Sequence, residues 1–217
     1  MASGSRAPVP TFVPVDEREE CLLAFAELVY ERGYELVRLT DVAERLAVPL
    51  EAVEAYWTSE EACAVDALRA GTEQTFAAVA RAFMSAPGDC AAAAHRSLEV
   101  LLGALAASPA MASLAILVPP MLSPRAAARH TGVLDVFAEF LGPGFAAMGH
   151  APPQPELVSQ VLTGGISEVL RRHAVEGRLD ELPAALPAVS HVCVAAFFGL
   201  EDARRVGRPQ PVVAGAR

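Results

Sequence analysis

The sequence predicts an all-α protein: an N-terminal three-helix head with a helix-turn-helix, followed by a larger helical bundle. Three observations predict this class. Apolar residues recur at helical spacing, no run alternates as a strand would, and clusters of Pro and Gly separate the helical runs. Hydrophobic residues make up 53% of the 217 positions. That fraction excludes intrinsic disorder for the bulk of the chain, because enough apolar surface is present to form a core.

The head is predicted from three short helical patterns. The first, about 17–32, has apolar residues on one face and ends at Gly33, a residue suited to the end of a helix. The second spans about 39–46. A three-residue turn ending at Pro49 leads to the third, about 50–56, and proline suits this start because the first N–H groups of a helix lack partners. Helix, helix, short turn and helix in this order predict a helix-turn-helix.

The remainder reads as consecutive helices. A long run begins after Ser59 and continues to about Met84, and the last two runs span about 155–176 and 182–204. We divide the chain into a disordered tail, a head, a helical bundle and a second tail, at residues 1–15, 16–61, 62–204 and 205–217.

Composition and motifs exclude several classes of protein. The four cysteines form no C-x-x-C pair, which predicts buried free thiols and a cytoplasmic location. The first 15 residues lack the apolar run of a signal peptide. The uncharged stretch 100–124 is interrupted by Pro109 and closed by Pro119 and Pro120, so it predicts two buried helices and no membrane span. We find no catalytic constellation and no metal-ligand spacing, so we predict neither an enzyme nor a cofactor or metal site.

Particular residues of the head match a known pattern: Leu22, Ala24, Leu28, Gly33-Tyr34, Leu39-Thr40-Asp41-Val42-Ala43, Val48, Tyr56-Trp57 and Ser59-Glu60-Glu61. This pattern resembles that of the tetracycline-repressor (TetR-like) family of bacterial regulators. The stretches 165–170 and 176–182 are similar to the dimerisation half of the same family. The resemblance is specific over 22–61 and covers most of residues 17–204.

The resemblance implies a ligand-responsive homodimeric transcription regulator, most often a repressor, that binds operator DNA through its third helix. The positions it implies for DNA contact are Arg38, Arg45, Leu50, Ala52, Tyr56 and Thr58. It also implies an apolar small-molecule effector within the bundle and a two-fold interface built from the last two helices. Because prolines and glycines break the bundle near large apolar side chains, we expect the effector to contact Phe83, Leu102, Met111, Phe137 and Ile166.

The charge of the head departs from this pattern. Residues 16–61 contain thirteen acids and four arginines, a sum of −9 that equals the charge of the whole chain. Ala47, Pro49 and Leu50 replace the family's turn glycine, serine and lysine, and Glu51 and Glu54 lie on the helix expected in the groove. Since phosphate contacts dominate DNA affinity, two hypotheses stay open. Either the head binds DNA through few contacts, or it has lost direct binding and the protein serves as a ligand- or protein-binding module.

Overall fold

A computed structural model describes residues 12–127 and 154–207, and these ranges contain helices and turns but no strand. The predicted all-α class is confirmed. Ten helices of the described ranges are labelled in chain order: α1 Glu17–Arg32, α2 Leu39–Leu46, α3 Leu50–Glu54, α4 Glu60–Met84, α5 Cys90–Ala107, α6 Pro109–Leu117, α7 Pro124–Ala127, α8 Pro155–Val175, α9 Leu182–Phe198 and α10 Leu200–Val206.

The head consists of α1, α2 and α3. Asp16 begins α1 by accepting a hydrogen bond from the Glu19 N–H at 2.8 Å, and Gly33 ends it with a positive φ of 88°. The turn between α2 and α3 places Ala47 in the left-handed region at φ 54°. The helix α3 ends at Glu54, two residues before the predicted end.

The long helix α4 connects the head to the bundle. The side chain of Ser59 begins it by accepting from the Ala62 N–H at 3.2 Å. One apolar cluster includes Phe25 and Trp57 of the head together with Met111 and Leu114 of α6. The core of the head therefore continues past the predicted boundary at residue 61, because α6 packs directly against α1.

The bundle has a second core. Helix α5 packs against both α4 and α9, and its fully buried Leu98, Leu101 and Leu102 meet side chains of α8 and α9. Two segments, Cys90–Ala107 and Leu179–Phe198, are long and apolar enough to span a membrane by length and composition alone. The first coincides with α5, and 56% of this segment is buried within the protein.

The predicted N-terminal tail, 1–15, ends too late, and the predicted C-terminal tail, 205–217, begins too early. Residues 12–15 were expected to be disordered, but Phe12 is 8% exposed and joins the core of the head. The folded part continues past residue 204, because Arg205 on α10 makes two hydrogen bonds to Asp89 at 2.7 and 2.9 Å. Residues 12–15 show no helical periodicity because prolines alternate with other residues before and among them. The end of α10 is held by an ion pair between residues distant in sequence. The other parts of these tails, 1–11 and 208–217, lie outside the described residues.

Candidate functional site: the helix-turn-helix surface and the bundle cavity

The residues expected to contact DNA lie along the start of α2, its end, α3 and the turn after α3. Leu50 is half-buried and packs against the core of the head. The other five are exposed or partly exposed: Arg38, Arg45, Ala52, Tyr56 and Thr58. Tyr56 is 43% exposed, whereas its neighbour Trp57 is 4% exposed. The two neighbouring aromatic residues therefore differ in position: Tyr56 lies at the surface, and Trp57 packs in the core of the head.

The guanidinium groups of the head already have partners. Arg38 donates to the backbone carbonyls of Glu35 and Val37 at 3.0 and 2.9 Å. Arg45 donates to Glu31 at 2.6 Å, and this hydrogen bond lowers the pKa of Glu31 below its usual value. A phosphate would compete with the Glu31 carboxylate for Arg45, whereas Arg38 makes both of its contacts through Nη1 alone.

The two remaining arginines of the head serve its own structure. Arg32 donates to Asp41 at 3.1 Å, and Asp41 also accepts from the Arg38 N–H at 2.7 Å, which stabilises the start of α2. Arg18 pairs with Asp66 and lies 5.7 Å from the centre of the Trp57 ring. Three of the four arginines, Arg18, Arg32 and Arg45, are therefore paired with carboxylates of the protein itself.

The acidic side chains of α2 and α3 face solvent. Glu51 and Glu54 are exposed on α3, and Glu44 is exposed on α2. Acids near the start of a helix stabilise it through the helix dipole, which gives Glu51 a structural role. At the same time these carboxylates place negative charge on the surface that helix-turn-helix proteins use to contact DNA. The negative charge that the sequence assigns to the head therefore lies at its exposed surface on α2 and α3.

Two consecutive carboxylates connect the head to the bundle. Glu60 accepts a hydrogen bond from the Leu39 N–H at the start of α2, at 3.4 Å. Glu61 accepts from the Ser123 N–H before α7, at 2.7 Å. Both carboxylates lie in the first turn of α4. A shift of α4 along its axis would therefore act on the start of α2 and on the start of α7 at the same time.

The bundle contains a cavity of about 280 Å³ between α4, α5 and α6. Most of its walls are apolar, and a few polar side chains of α4 and Ser108 interrupt them. The lining residues are Phe12, Ala67, Leu68, Gly71, Thr72, Gln74, Thr75, Arg81, Ala104, Leu105, Ser108, Met111, Ala112 and Ala115. The hydroxyl of Thr72 is buried and has no hydrogen-bond partner within the described part of the chain.

The cavity lies closer to the head than the sequence indicated. Of the residues expected to contact an effector, Met111 lines it. Leu102 and Ile166 belong to the closed core of the bundle, and Phe83 is half-buried near the end of α4 without lining the cavity. Phe137 lies outside the described residues. Apolar character alone could not separate these positions, because a core and a cavity wall use the same side chains.

A strap formed by residues 12–15 closes one side of the cavity. The N–H of Phe12 donates to the hydroxyl of Ser108 at 2.9 Å. The amide of Gln74 exchanges two hydrogen bonds with the backbone of Val13, at 3.4 and 3.3 Å. Sequence reasoning missed all three of these cavity residues, Phe12, Gln74 and Ser108. Their only signal was a polar stretch in the middle of α4, at residues 72–75, and an isolated aromatic residue among prolines.

The architecture is the fold of TetR-family transcription regulators: a helix-turn-helix head, a long connecting helix and an apolar cavity in the bundle behind it. The structure is similar to the fatty acid degradation regulator FadR from Bacillus halodurans, at TM-score 0.75 and 15% identity, covering 86% of this chain and 99% of that one. FadR from Bacillus subtilis, solved in complex with stearoyl-CoA, matches at TM-score 0.68 and 15% identity, covering 82% and 98%.

A third solved structure extends the likeness. PfmR from Thermus thermophilus, a TetR-family regulator, matches at TM-score 0.62 and 18% identity, covering 83% of this chain and 98% of that one. No protein-family model and no curated protein matches the sequence. The likeness at these identities establishes the fold, and the function has to be argued from the site.

Proposed function

We propose that the protein is a cytoplasmic, homodimeric, ligand-responsive transcription repressor without enzymatic activity. The observation that carries the proposal is the direct packing of the head against the cavity wall. Met111 of α6 lines the cavity and also belongs to the apolar cluster of the head. An effector that moves α6 therefore changes the support of α1, and differential affinity for two positions of the head would shift the protein between them.

DNA binding by this head rests on few contacts. The surface residues Arg38, Arg45, Tyr56 and Thr58 supply them, together with backbone N–H groups at helix starts. Each basic contact releases counterions, so a small number of contacts gives a shallow dependence of affinity on salt. We expect a slope of log affinity against log salt well short of the roughly −10 seen for strongly basic repressors.

The test is fluorescence anisotropy with the promoter duplex and a random duplex at several salt concentrations. The double variant Glu51→Gln and Glu54→Gln should bind both duplexes more tightly than wild type, because two exposed charges that repel phosphate are removed. Glu73→Gln on α4 is the control for a single charge removed away from the head. A steep slope for wild type, or no gain in the double variant, would contradict this account.

The acidic surface favours a second candidate function. If neither wild type nor the double variant binds any promoter fragment, the protein is a ligand- or protein-binding module that retains the TetR fold. The engaged arginines of the head support this alternative, because an interaction with phosphate would first have to break the Arg45–Glu31 hydrogen bond.

The homodimer is supported by apolar side chains left on the surface of the last two long helices. Leu157 and Val161 on α8 are 51% and 66% exposed, and Val192 on α9 is 56% exposed. A second copy of the chain that covers this face should bury more than about 1,000 Å². Light scattering should show a dimer at micromolar concentration, and Val161→Glu should convert it to a monomer. Leu36→Glu, which alters an exposed leucine of the head, should leave the dimer intact.

A further inference from the structure

We propose that the effector is a compact apolar carboxylate whose anionic group pairs with Arg81 at the edge of the bundle cavity. This inference rests on the proposed sensor function and specifies the ligand class for it. Arg81 is the only charged side chain among the described residues that line the cavity. A carboxylate removed from water needs a cation or several hydrogen bonds, and the guanidinium supplies both.

Arg81 differs from neighbouring arginines in being available. Arg69, three turns earlier on the same helix, donates to Asp66 at 2.8 Å and to Glu73 at 3.0 Å. Arg96 on α5 donates to the carbonyl and hydroxyl of Ser85 at 3.3 Å. Within residues 12–127 and 154–207, Arg81 has no ion pair or hydrogen bond. A cation without a carboxylate partner therefore borders an apolar cavity in a protein of net charge −9.

The position of Arg81 on α4 sets the orientation of the ligand. Arg81 follows Gln74 by seven residues, about two turns, so both lie on the same face of the helix. Helical side chains lean toward the N-terminus, which directs Arg81 toward the strap held by Gln74. The carboxylate belongs at this polar edge, and the apolar part of the ligand extends toward Leu105 and Met111.

The size of the cavity selects among carboxylic compounds. Its volume of about 280 Å³ is just below the range of ligand pockets, which span roughly 300–1,000 Å³. Gly71 adds to the restriction, because even a Cβ at this position would approach the terminal methyl of Met111 to 2.8 Å. A free acid with a short chain or a single ring suits this space, whereas a coenzyme A thioester adds a nucleotide far larger than the cavity.

The experiment is isothermal titration calorimetry of the full-length protein with octanoate, 1-octanol and octanoyl-CoA. Octanoate and octanol share a chain, so their difference isolates the charge. Wild type should bind octanoate at least about tenfold more tightly than either other compound. Arg81→Gln should weaken octanoate at least about tenfold and leave octanol unchanged. Arg204→Gln, which removes an exposed arginine of α10, is the matched control and should bind like wild type.

A charge reversal tests the contact itself. Arg81→Glu should bind octylammonium in preference to octanoate, and circular dichroism establishes that the variant is folded. Equal binding of octanol and octanoate, an unaffected Arg81→Gln, or tighter binding of octanoyl-CoA would each overturn the proposal. Absence of binding by all three compounds would overturn it too. None of these titrations contains DNA, so loss of promoter binding in the anisotropy assay would contradict the regulator function separately.

Discussion

Arg45 at the end of α2 and Glu31 near the end of α1 are joined by a hydrogen bond of 2.6 Å, and Glu27 lies within 3.5 Å of the same guanidinium. The interaction holds two helices of the head together. It also occupies an arginine that the helix-turn-helix would otherwise present to phosphate. Packing within the head and the proposed DNA binding therefore compete for the same guanidinium group.

Replacing Glu31 with Gln should release Arg45 and strengthen DNA binding. We expect several-fold tighter binding and a salt slope steeper by about one, because one additional phosphate contact releases its counterions. Glu35→Gln is the matched control, since it removes the same exposed charge while Arg38 keeps its bond to the backbone carbonyl of Glu35. Anisotropy across several salt concentrations measures both. Equal gains in the two variants would mean that only net charge matters and that no arginine is released.

The turn of the helix-turn-helix contains a residue in an unfavourable backbone conformation. Ala47 has φ 54° and ψ 39°, a left-handed conformation in which the Cβ of an alanine is crowded. Ala47→Gly should therefore raise the free energy of unfolding by roughly 0.5–1 kcal/mol, the relief of strain exceeding the entropy that glycine gains in the unfolded chain. Urea unfolding followed by the fluorescence of Trp57, the single tryptophan, measures it.

A second substitution separates this effect from a general response to glycine. Ala52 lies within α3 with helical backbone, so Ala52→Gly should lower the free energy of unfolding by about 1 kcal/mol. A loss of stability in both variants would show that the left-handed conformation of Ala47 carries no strain.

Local patterns predicted the head well because its elements are specified by neighbouring residues. The bounds of α1 and α2 follow from an apolar face, the Asp16 cap and Gly33, all within a few residues of the helix ends. The acidic character of the surface also follows from composition. The pairing of the arginines with carboxylates does not follow from composition. Arg45 and Glu31 are 14 positions apart, and only the packing of α2 on α1 brings them together.

The cavity could not be located in the same way. Met111 lines it, whereas Leu102 and Ile166 have the same apolar character and fill a closed core. Contact of an effector with any of these residues stays a prediction. The strap depends on contacts such as Phe12 to Ser108, which are 96 positions apart. Helical periodicity carries no information about such pairs, because it reports only which face of a helix is buried.

The strap should contribute to stability as well as closing the cavity. Phe12→Ala removes a nearly buried ring, so the free energy of unfolding should fall by about 1.5–3 kcal/mol. Val13→Ala is the control, because that side chain is 60% exposed and its hydrogen bonds to Gln74 use the backbone. Urea unfolding compares the two. A loss below about 0.5 kcal/mol for Phe12→Ala, the size usual for surface substitutions, would mean that the strap does not remain on the bundle in solution.

His95 on α5 and Ser190 on α9 form the last contact with a measurable consequence. His95 Nδ1 lies 2.6 Å from the Ser190 hydroxyl, and Ser190 is completely buried. Burial lowers the pKa of His95 below its usual value near 6.5, Glu99 opposes this effect, and Arg96 adds to it. The native protein therefore holds this histidine neutral at a pH where the unfolded chain protonates it.

The sign of the pH dependence follows from that difference. Above about pH 6.5 both states are neutral and the contribution of His95 to stability is complete. As the pH falls below that value, the unfolded chain binds a proton that the native protein does not, so stability decreases until the lowered native pKa is reached.

Thermal unfolding at about pH 7.5 and about pH 5.5, on either side of the ordinary histidine pKa, should show a smaller loss of stability for His95→Gln than for wild type. His191→Gln, which replaces an exposed histidine beside Ser190, is the control and should keep the wild-type difference. The same pH dependence in wild type and His95→Gln would show that the half-buried imidazole is not the group responsible.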